Sequence, residues 1–428
     1  MSHDHQSAPF SGQDSPSRQA ASAVDPHGAP RQNAGAVEAG DTRPQTASAA
    51  TGLPLPDDDS RAHSTRVAAH LRTRIDAGGG WLSFADFMAD ALYAPGLGYY
   101  AAGSRKFAAD GDFVTAPELT PLFGATLAGP VGRVLRETGS LEVLEFGAGT
   151  GALAEALLEA LADQGLEVRY SILEVSADLR ERQQTRLARF GERVRWLDAL
   201  PRGFVGCAVA NEVLDAMPVH LVRRSEDGTL QERGVVREGD AFAWEDRPAA
   251  PALAAMAEDR LPPLPGYLSE INLQAEAFVQ GVGTWLAHGA LLLIDYGFPR
   301  HEYYHPQRAE GTLMCHLRHV AHADALAWPG IQDITAHVDF TAMADAALEG
   351  ELDVLGYTAQ GRYLLNAGLS GHLQALQARD ATAYARSLNA VQKLVSEAEM
   401  GELFKVLAVG KGLDEMPGFE IGDRLDRL

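Results

Sequence analysis

The chain has 428 residues, 46% of them hydrophobic, and a formal net charge of −22 at neutral pH. That length and apolar content can bury a sizeable core, as one large domain or two modest ones. The charge excludes nucleic acid as a default partner, because such binding depends on Lys and Arg neutralising phosphates and no Lys/Arg-rich run is present.

Two cysteines, Cys207 and Cys315, stand far apart without CxxC spacing, so neither a disulfide scaffold nor a structural zinc is expected, and no metal site is assigned. No stretch approaches the ~20 consecutive apolar residues that span a bilayer. From residue 1 to about 60 the sequence is rich in Ser, Ala, Gln, Pro and Gly and nearly free of large apolar side chains. It reads as a disordered tail, unable to bury enough surface to offset its ordering entropy. The tail lacks a charged-then-apolar leader, and its acidic residues outnumber Arg18, Arg31 and Arg43, unlike a transit peptide, so cytoplasmic residence is the default.

A helical region is expected over 61–114. Val67, Leu71 and Ile75 recur at helical spacing from near Ser64 to the Gly78-Gly79-Gly80 break, and Phe84, Phe87, Met88 and Leu92 mark a second helix. An aromatic, Gly-rich stretch follows from Tyr93 to Phe113. Thr115 to Glu118 has capping-box spacing with Pro117 early in the turn, which predicts one helix running to about Arg136, interrupted near Gly129-Pro130. Beyond it strands and helices alternate. Strands are expected at Leu141–Phe146, Val168–Glu174, Val194–Leu197, Cys207–Ala210 and Ala290–Ile294, then at Leu352–Thr358 and Phe404–Val409; helices are expected at Leu153–Leu161 and Ala378–Glu399. This pattern predicts an α/β fold over 115–428, a Rossmann-like parallel sheet with helices on both faces. Insertions at about 213–288 and 298–350 would carry substrate-binding elements, and Val219 to Val236 reads as inserted strands serving a substrate wall or a dimer contact.

Glu145-Phe146-Gly147-Ala148-Gly149-Thr150-Gly151 lies between an apolar strand and an amphipathic helix, where a glycine loop can approach a nucleotide-like ligand. The loop also satisfies a relaxed dinucleotide fingerprint through Gly147, Gly149 and Ala152, so taken alone it does not choose a donor. Its flanks tilt the choice. Glu145 would face the amino group of S-adenosylmethionine but would repel a pyrophosphate. Glu174, about 20 residues on, is placed to accept hydrogen bonds from ribose hydroxyls, and Asp198-Ala199 after the third strand to take an adenine amino group. The expected cofactor is therefore S-adenosylmethionine, held by Glu145, Gly147, Gly149, Gly151, Glu174, Asp198, Ala199 and Asn211.

Methyl transfer from a sulfonium is an in-line displacement that needs alignment and exclusion of water rather than a nucleophilic side chain. Asn211 to His220 follows the fourth strand, where a doubly wound sheet presents residues to the reacting centre. Glu212 and Asp215 are three apart and would share one face of a helical turn. Two carboxylates there suit a cationic acceptor, and a guanidinium matches them in a fork geometry. Asp333 to Phe340 gathers polar groups, with His337 as a base or a shaper of the acceptor pocket. The candidate catalytic set is Glu212, Asp215, Asn211 and His337.

The combination of Gly98-Tyr99-Tyr100, Gly111-Asp112-Phe113 through Glu118, Glu145 to Gly151, Asn211-Glu212 with Asp215 to His220, Asp295-Tyr296-Gly297, Gly311-Thr312-Leu313 and Asp333 to Phe340 resembles the MidA family of class I methyltransferases. That family includes mitochondrial complex I assembly-factor enzymes. The resemblance implies a class I methyltransferase fold, S-adenosylmethionine as donor, and methylation of an arginine on a protein such as a respiratory-complex subunit. It also implies that Gly147, Gly149 and Gly151 hold the donor, Glu174 its ribose, and that Asn211 and Glu212 lie near the acceptor. The N-terminal tail has no family counterpart, and Lys is confined to Lys106, Lys393, Lys405 and Lys411, which points to a GC-rich bacterial source and the cytoplasm, with the mitochondrial matrix as the eukaryotic alternative. Three other readings stay open at this level: transfer to a small-molecule or carboxyl acceptor, a donor-binding assembly or scaffold protein without turnover, and, ranked last, a nicotinamide oxidoreductase. A homodimer is compatible with the inserted strands.

Overall fold

Asp57 accepts the Ser60 N–H at 2.8 Å and starts helix α1, Asp58–Ala77, ahead of Ser64, where apolar periodicity alone placed the start. The cap decides the boundary, because its carboxylate satisfies an orphan donor of the first turn. The computed structural model describes residues 53–102 and 115–428. The tail up to residue 52 and the Gly111-Asp112-Phe113 motif lie outside them.

Strand β1, Leu82–Ser83, leads into α2, Phe84–Tyr93, capped by Ser83. The predicted single helix after Thr115 is two helices, α3, Ala116–Leu119, and α4, Leu122–Thr138. The break falls at Thr120-Pro121 and not at Gly129-Pro130: Thr120 is extended, as a residue before proline prefers, while Pro130 sits inside a continuous α4. Thr115 makes no side-chain cap either, and Glu118 turns to Thr150 and Arg186 instead.

The chain then alternates through β2, Glu142–Phe146, α5, Ala152–Asp163, β3, Arg169–Leu173, α6, Ala177–Leu187, β4, Val194–Leu197, and β5, Phe204–Asn211. It leaves the main sheet for β6, His220–Arg224, β7, Leu230–Glu238, β8, Ala241–Pro248, α7, Pro251–Arg260, and β9, Leu268–Ile271. It returns through α8, Leu273–Trp285, to β10, Leu286–Phe298. A second excursion carries α9, Arg300–Tyr303, β11, Met314–Leu317, β12, Val320–His322, β13, Asp333–Thr335, and β14, Val338–Asp339. Next come α10, Phe340–Glu349, β15, Asp353–Ala359, α11, Gln360–Asn366, α12, Leu369–Arg379, α13, Ala381–Val395, α14, Met400–Leu403, and β16, Phe404–Lys411.

The main sheet runs in the order β15-β16-β10-β5-β2-β3-β4, with the five strands from β10 to β4 parallel and β16 antiparallel to both its neighbours. Alternation along each strand feeds two cores. Val143, Cys207, Val209, Leu292 and Ile294 pack against α4, α5, α11 and α13 on one face, while Leu144, Ala208, Ala210, Leu291 and Leu293 pack against α8 and α10 on the other. Both faces are covered, so the strands read as unbroken apolar runs, and each buried leucine contributes about 1.5–3 kcal/mol. The first excursion forms a smaller sheet from β6, β7, β8 and β9, joined at its edge by β1, and the second forms one from β11, β12 and β13. The strand order reverses at β2 and β5, and in an open α/β sheet that is where a crevice opens beyond the carboxyl ends of the strands.

Candidate active site

The crevice is a cavity of about 820 Å³, within the size range of small-molecule sites. Glu145, Gly147, Gly149, Glu174, Asn211, Glu212, Asp215 and His337 all line it, so most of the residues singled out in the sequence converge there. Gly151, Asp198 and Ala199 do not. Gly151 stands at the N-cap of α5, and Asp198 turns outward, 86% exposed, to pair with Arg180 at 2.7 Å. At the rim where an adenine contact was expected from Asp198, the cavity presents Val175 and Leu179.

The loop that borders the cavity beyond β2 carries three glycines with positive φ, 59°, 53° and 86° at Gly147, Gly149 and Gly151. A side chain in that conformation costs about 1–2 kcal/mol per residue, which is why the loop is spelled in glycine. Glu174 ends β3 with one oxygen accepting the Ser176 N–H at 2.8 Å and the other the Gln183 amide at 2.9 Å. Each oxygen keeps a lone pair for a further donor. The Gln183 amide also donates to the Gly149 carbonyl at 2.8 Å, latching α6 to the loop. Sequence reasoning passed over Gln183 because it sits in a polar run that reads as a solvated helix face, yet it is fully buried.

Glu145 is buried and accepts the Tyr170 hydroxyl at 2.8 Å. Burial pushes its carboxyl up to about 8, against the opposing hydrogen bond from Tyr170. An incoming ammonium or sulfonium would offset that burial and favour the carboxylate.

On the acceptor side the expected helical turn is absent. Glu212 has φ 53°, in the left-handed region, and the 212–217 segment forms bends and turns. The cause lies far away in sequence. Asp295 Oδ2 accepts the backbone N–H groups of Val213, Leu214 and Asp215 at 3.2, 2.9 and 3.3 Å, and the Glu212 N–H goes to the Ile294 carbonyl. Tertiary acceptors thus replace the carbonyls of a helical ladder.

Glu212 Oε1 accepts the Asn211 amide at 3.0 Å and the Ala116 N–H at 3.4 Å. Asp215 Oδ2 accepts the Tyr296 hydroxyl at 2.5 Å, while Asp215 Oδ1 and Asn211 Oδ1 are buried acceptors without a hydrogen-bond partner. Burial, reinforced by Asp215, pushes Glu212 up to about 8; burial pushes Asp215 up to about 6. Asp295 is raised by burial and by both of them. The charges acting most on Glu212 are the acidic Asp215 and Asp333, so the cluster is poised for a cation.

Aromatic residues complete the wall. Tyr93 stacks on Tyr100 with centroids 5.5 Å apart, and their hydroxyls donate to the Ala216 carbonyl and to Asp333. His337 lies flat on Phe298, with its backbone N–H held by Thr312 Oγ1 at 3.0 Å. Tyr93, Tyr100, Met314, His316 and Asp333 come from segments distant in sequence, so no local spacing marked them as one site.

Residues 126–358 match the family model described as "Putative S-adenosyl-L-methionine-dependent methyltransferase". A crystal structure of a Burkholderia thailandensis protein bound to S-adenosyl-homocysteine is 50% identical, covers 88% of this chain and 100% of its own, and superposes with a TM-score of 0.84. The zebrafish (Danio rerio) protein named Protein arginine methyltransferase NDUFAF7, mitochondrial, is 27% identical over 80% of this chain and 86% of its own; the human protein of that name is 25% identical over 81% and 83%.

Proposed function

We propose, from the premise that this chain belongs to the S-adenosyl-L-methionine-dependent methyltransferase family, that its acceptor is an arginine guanidinium of a protein. The observation that carries this reading is the pair Glu212 and Asp215, carboxylates in the donor cavity that hold oxygens in reserve and have no basic neighbour among their main charge partners. The names of the relatives support it.

When bound, S-adenosylmethionine supplies a methyl group on a sulfonium, open to in-line displacement. Glu174 would accept the ribose hydroxyls, the glycine loop would admit the donor's close approach, and Glu145 would face its amino group. Val175 and Leu179 would cover the adenine in place of Asp198. Glu212 and Asp215 would grip the guanidinium through charge-assisted hydrogen bonds, with Asn211 aligning Glu212 and His337 shaping the far wall. The nitrogen that gains a methyl group must shed a proton, and Glu212, raised to about 8, is a better proton acceptor than an ordinary carboxylate.

No helix among the described residues is long and apolar enough to cross a membrane. Because the named relatives are mitochondrial, a respiratory-complex subunit is the first acceptor to test, while the lysine-poor composition favours a bacterial cytoplasm over a mitochondrial matrix. Light scattering on the purified chain tests the homodimer reading of the inserted strands.

The deciding experiment incubates the protein with methyl-labelled S-adenosylmethionine and arginine-containing peptides, then hydrolyses the products to amino acids. Label in methylarginine, lost in Glu212→Gln with donor binding intact, supports the reading. Label in an ester or a small molecule transfers the site to the other acceptor class, and donor binding without any transfer leaves the scaffold reading.

A further inference from the structure

We propose that Asp295 and Tyr296, consecutive residues near the carboxyl end of β10, are positioning residues for methyl transfer: Asp295 fixes the backbone turn that presents Glu212 and Asp215, and Tyr296 pins one oxygen of Asp215 so that the other faces the acceptor. The proposal rests on the guanidinium reading of Glu212 and Asp215 given above.

The geometry is specific. A carboxylate oxygen that collects three successive backbone N–H groups is doing the work that a helical ladder would otherwise do, and Asp295 Oδ1 takes a fourth from Tyr296 at 2.9 Å. Asp295 is 1% exposed and does not line the cavity, so its influence on an acceptor passes through the turn. The turn needs such an anchor because its first residue, Glu212, is a left-handed non-glycine, a conformation that persists only where surrounding contacts fix it. Without the anchor the segment relaxes and the two carboxylates separate.

Tyr296 is itself held in place. Its ring lies edge-on to His337 at 5.0 Å and to Phe404 at 5.3 Å, which fixes the hydroxyl against Asp215 Oδ2. The opposite oxygen, Oδ1, is left buried and unpartnered, an arrangement that costs stability unless a donor arrives to satisfy it. One oxygen is a hinge pin and the other a docking point.

The groups around Asp215 and Glu212 are Asp295 and Tyr296 from β10, Asp333 from β13, His337 beyond it, Tyr93 and Tyr100 from α2 and the segment after it, and Glu174 at the end of β3. The Tyr296 hydroxyl favours the Asp215 carboxylate, while Asp295 is itself raised by Asp215 and Glu212 and meets the turn through its backbone N–H groups.

The test uses the full chain with saturating S-adenosylmethionine and the variants Tyr296→Phe and Asp295→Asn, each close to isosteric. Carboxyl-carbon NMR follows the titration of Asp215 and Glu212, with Asp215→Asn and Glu212→Gln assigning the signals, and kcat and KM are measured on an arginine peptide. The expected result is donor affinity within twofold of wild type and kcat/KM lower by about 10- to 100-fold in each variant, the loss of a hydrogen bond to a charged group. Asp215 should titrate at higher pH in Tyr296→Phe, and the Val213, Leu214 and Asp215 amides should exchange faster with solvent in Asp295→Asn. A merely structural role would lower the unfolding midpoint without moving the Asp215 titration, and an unmoved titration and unchanged amide exchange with wild-type kcat/KM overturn the proposal. If the wild type transfers no methyl group to arginine, the acceptor reading fails, while the positioning claim still stands or falls on the Asp215 titration and the turn amides.

Discussion

Glu145→Gln isolates the cost of placing an acid under the donor loop. The Glu145 carboxyl is 2% exposed and pushed up to about 8 by burial, against 4.5 for a free glutamate side chain. A folded-state value above the unfolded one means that the native state holds the proton more tightly, so stability is full below the unfolded value and falls as pH rises through the window from 4.5 to 8. Each unit in that window costs about 1.4 kcal/mol, and between pH 5 and pH 9 the wild type should lose about 3–5 kcal/mol through this residue. Glutamine keeps the shape and can still accept the Tyr170 hydroxyl, but it does not ionise. Urea unfolding without donor, monitored by circular dichroism at several pH values, should show the variant gaining on the wild type by that amount at the alkaline end. Parallel stability curves for the two proteins from pH 5 to 9 would refute the reasoning, because they would mean that Glu145 ionises normally in the folded chain.

Three other outcomes are expected. If Glu174 accepts the ribose hydroxyls as proposed, Glu174→Ala removes that acceptor and one of the two partners of the Gln183 amide, so calorimetry should show S-adenosylmethionine binding weakened by about 100-fold or more with far-UV circular dichroism unchanged. Acceptor affinity should rise between pH 6 and 8 and level off above, since a bound cation favours the Glu212 carboxylate and must expel the proton held up to about 8; calorimetry in buffers of different ionisation enthalpy reads that proton release directly. Gly234→Ala should cost at least about 2–3 kcal/mol in chemical unfolding, because a methyl group there would stand 2.2 Å from the Trp81 ring and 2.4 Å from the Leu82 carbonyl at the β1–β7 pairing.

The candidate residues that converge on the cavity are mostly those whose residue type is set by a local spacing or conformation. The glycines at 147, 149 and 151 show in sequence because positive φ excludes other residues, and Glu174 because the distance from the loop to the next strand end is fixed by one helix and one turn. Glu212 and Asp215 were legible as a pair but their backbone was not: three-residue spacing suggests a helical turn, and only Asp295, brought alongside by the β5–β10 pairing, overrides it. Asp198, expected near the adenine, pairs with Arg180 and stands outside the cavity lining, because a carboxylate at a strand end is equally fit to face a ligand or an arginine. The stacked pair Tyr93 and Tyr100 reaches the crevice through packing of α2 against the inserted sheet, a long-range arrangement with no signature in its own sequence.

The position of β16 has a consequence for how the chain assembles during synthesis. The strands carrying the donor loop, β2 to β5, leave the ribosome early and can pair with one another at once. β10 joins their edge next, but along Gly289 to Tyr296 its other edge pairs with β16, which emerges after the whole second excursion and the helices that follow it. Until then a long, apolar strand edge is open to pairing with other nascent chains. A chain interrupted anywhere between residues 298 and 404 would therefore hold a half-built sheet with its seam unclosed and its crevice lacking the wall from Leu403 and Phe404, the species a chaperone or protease should recognise first.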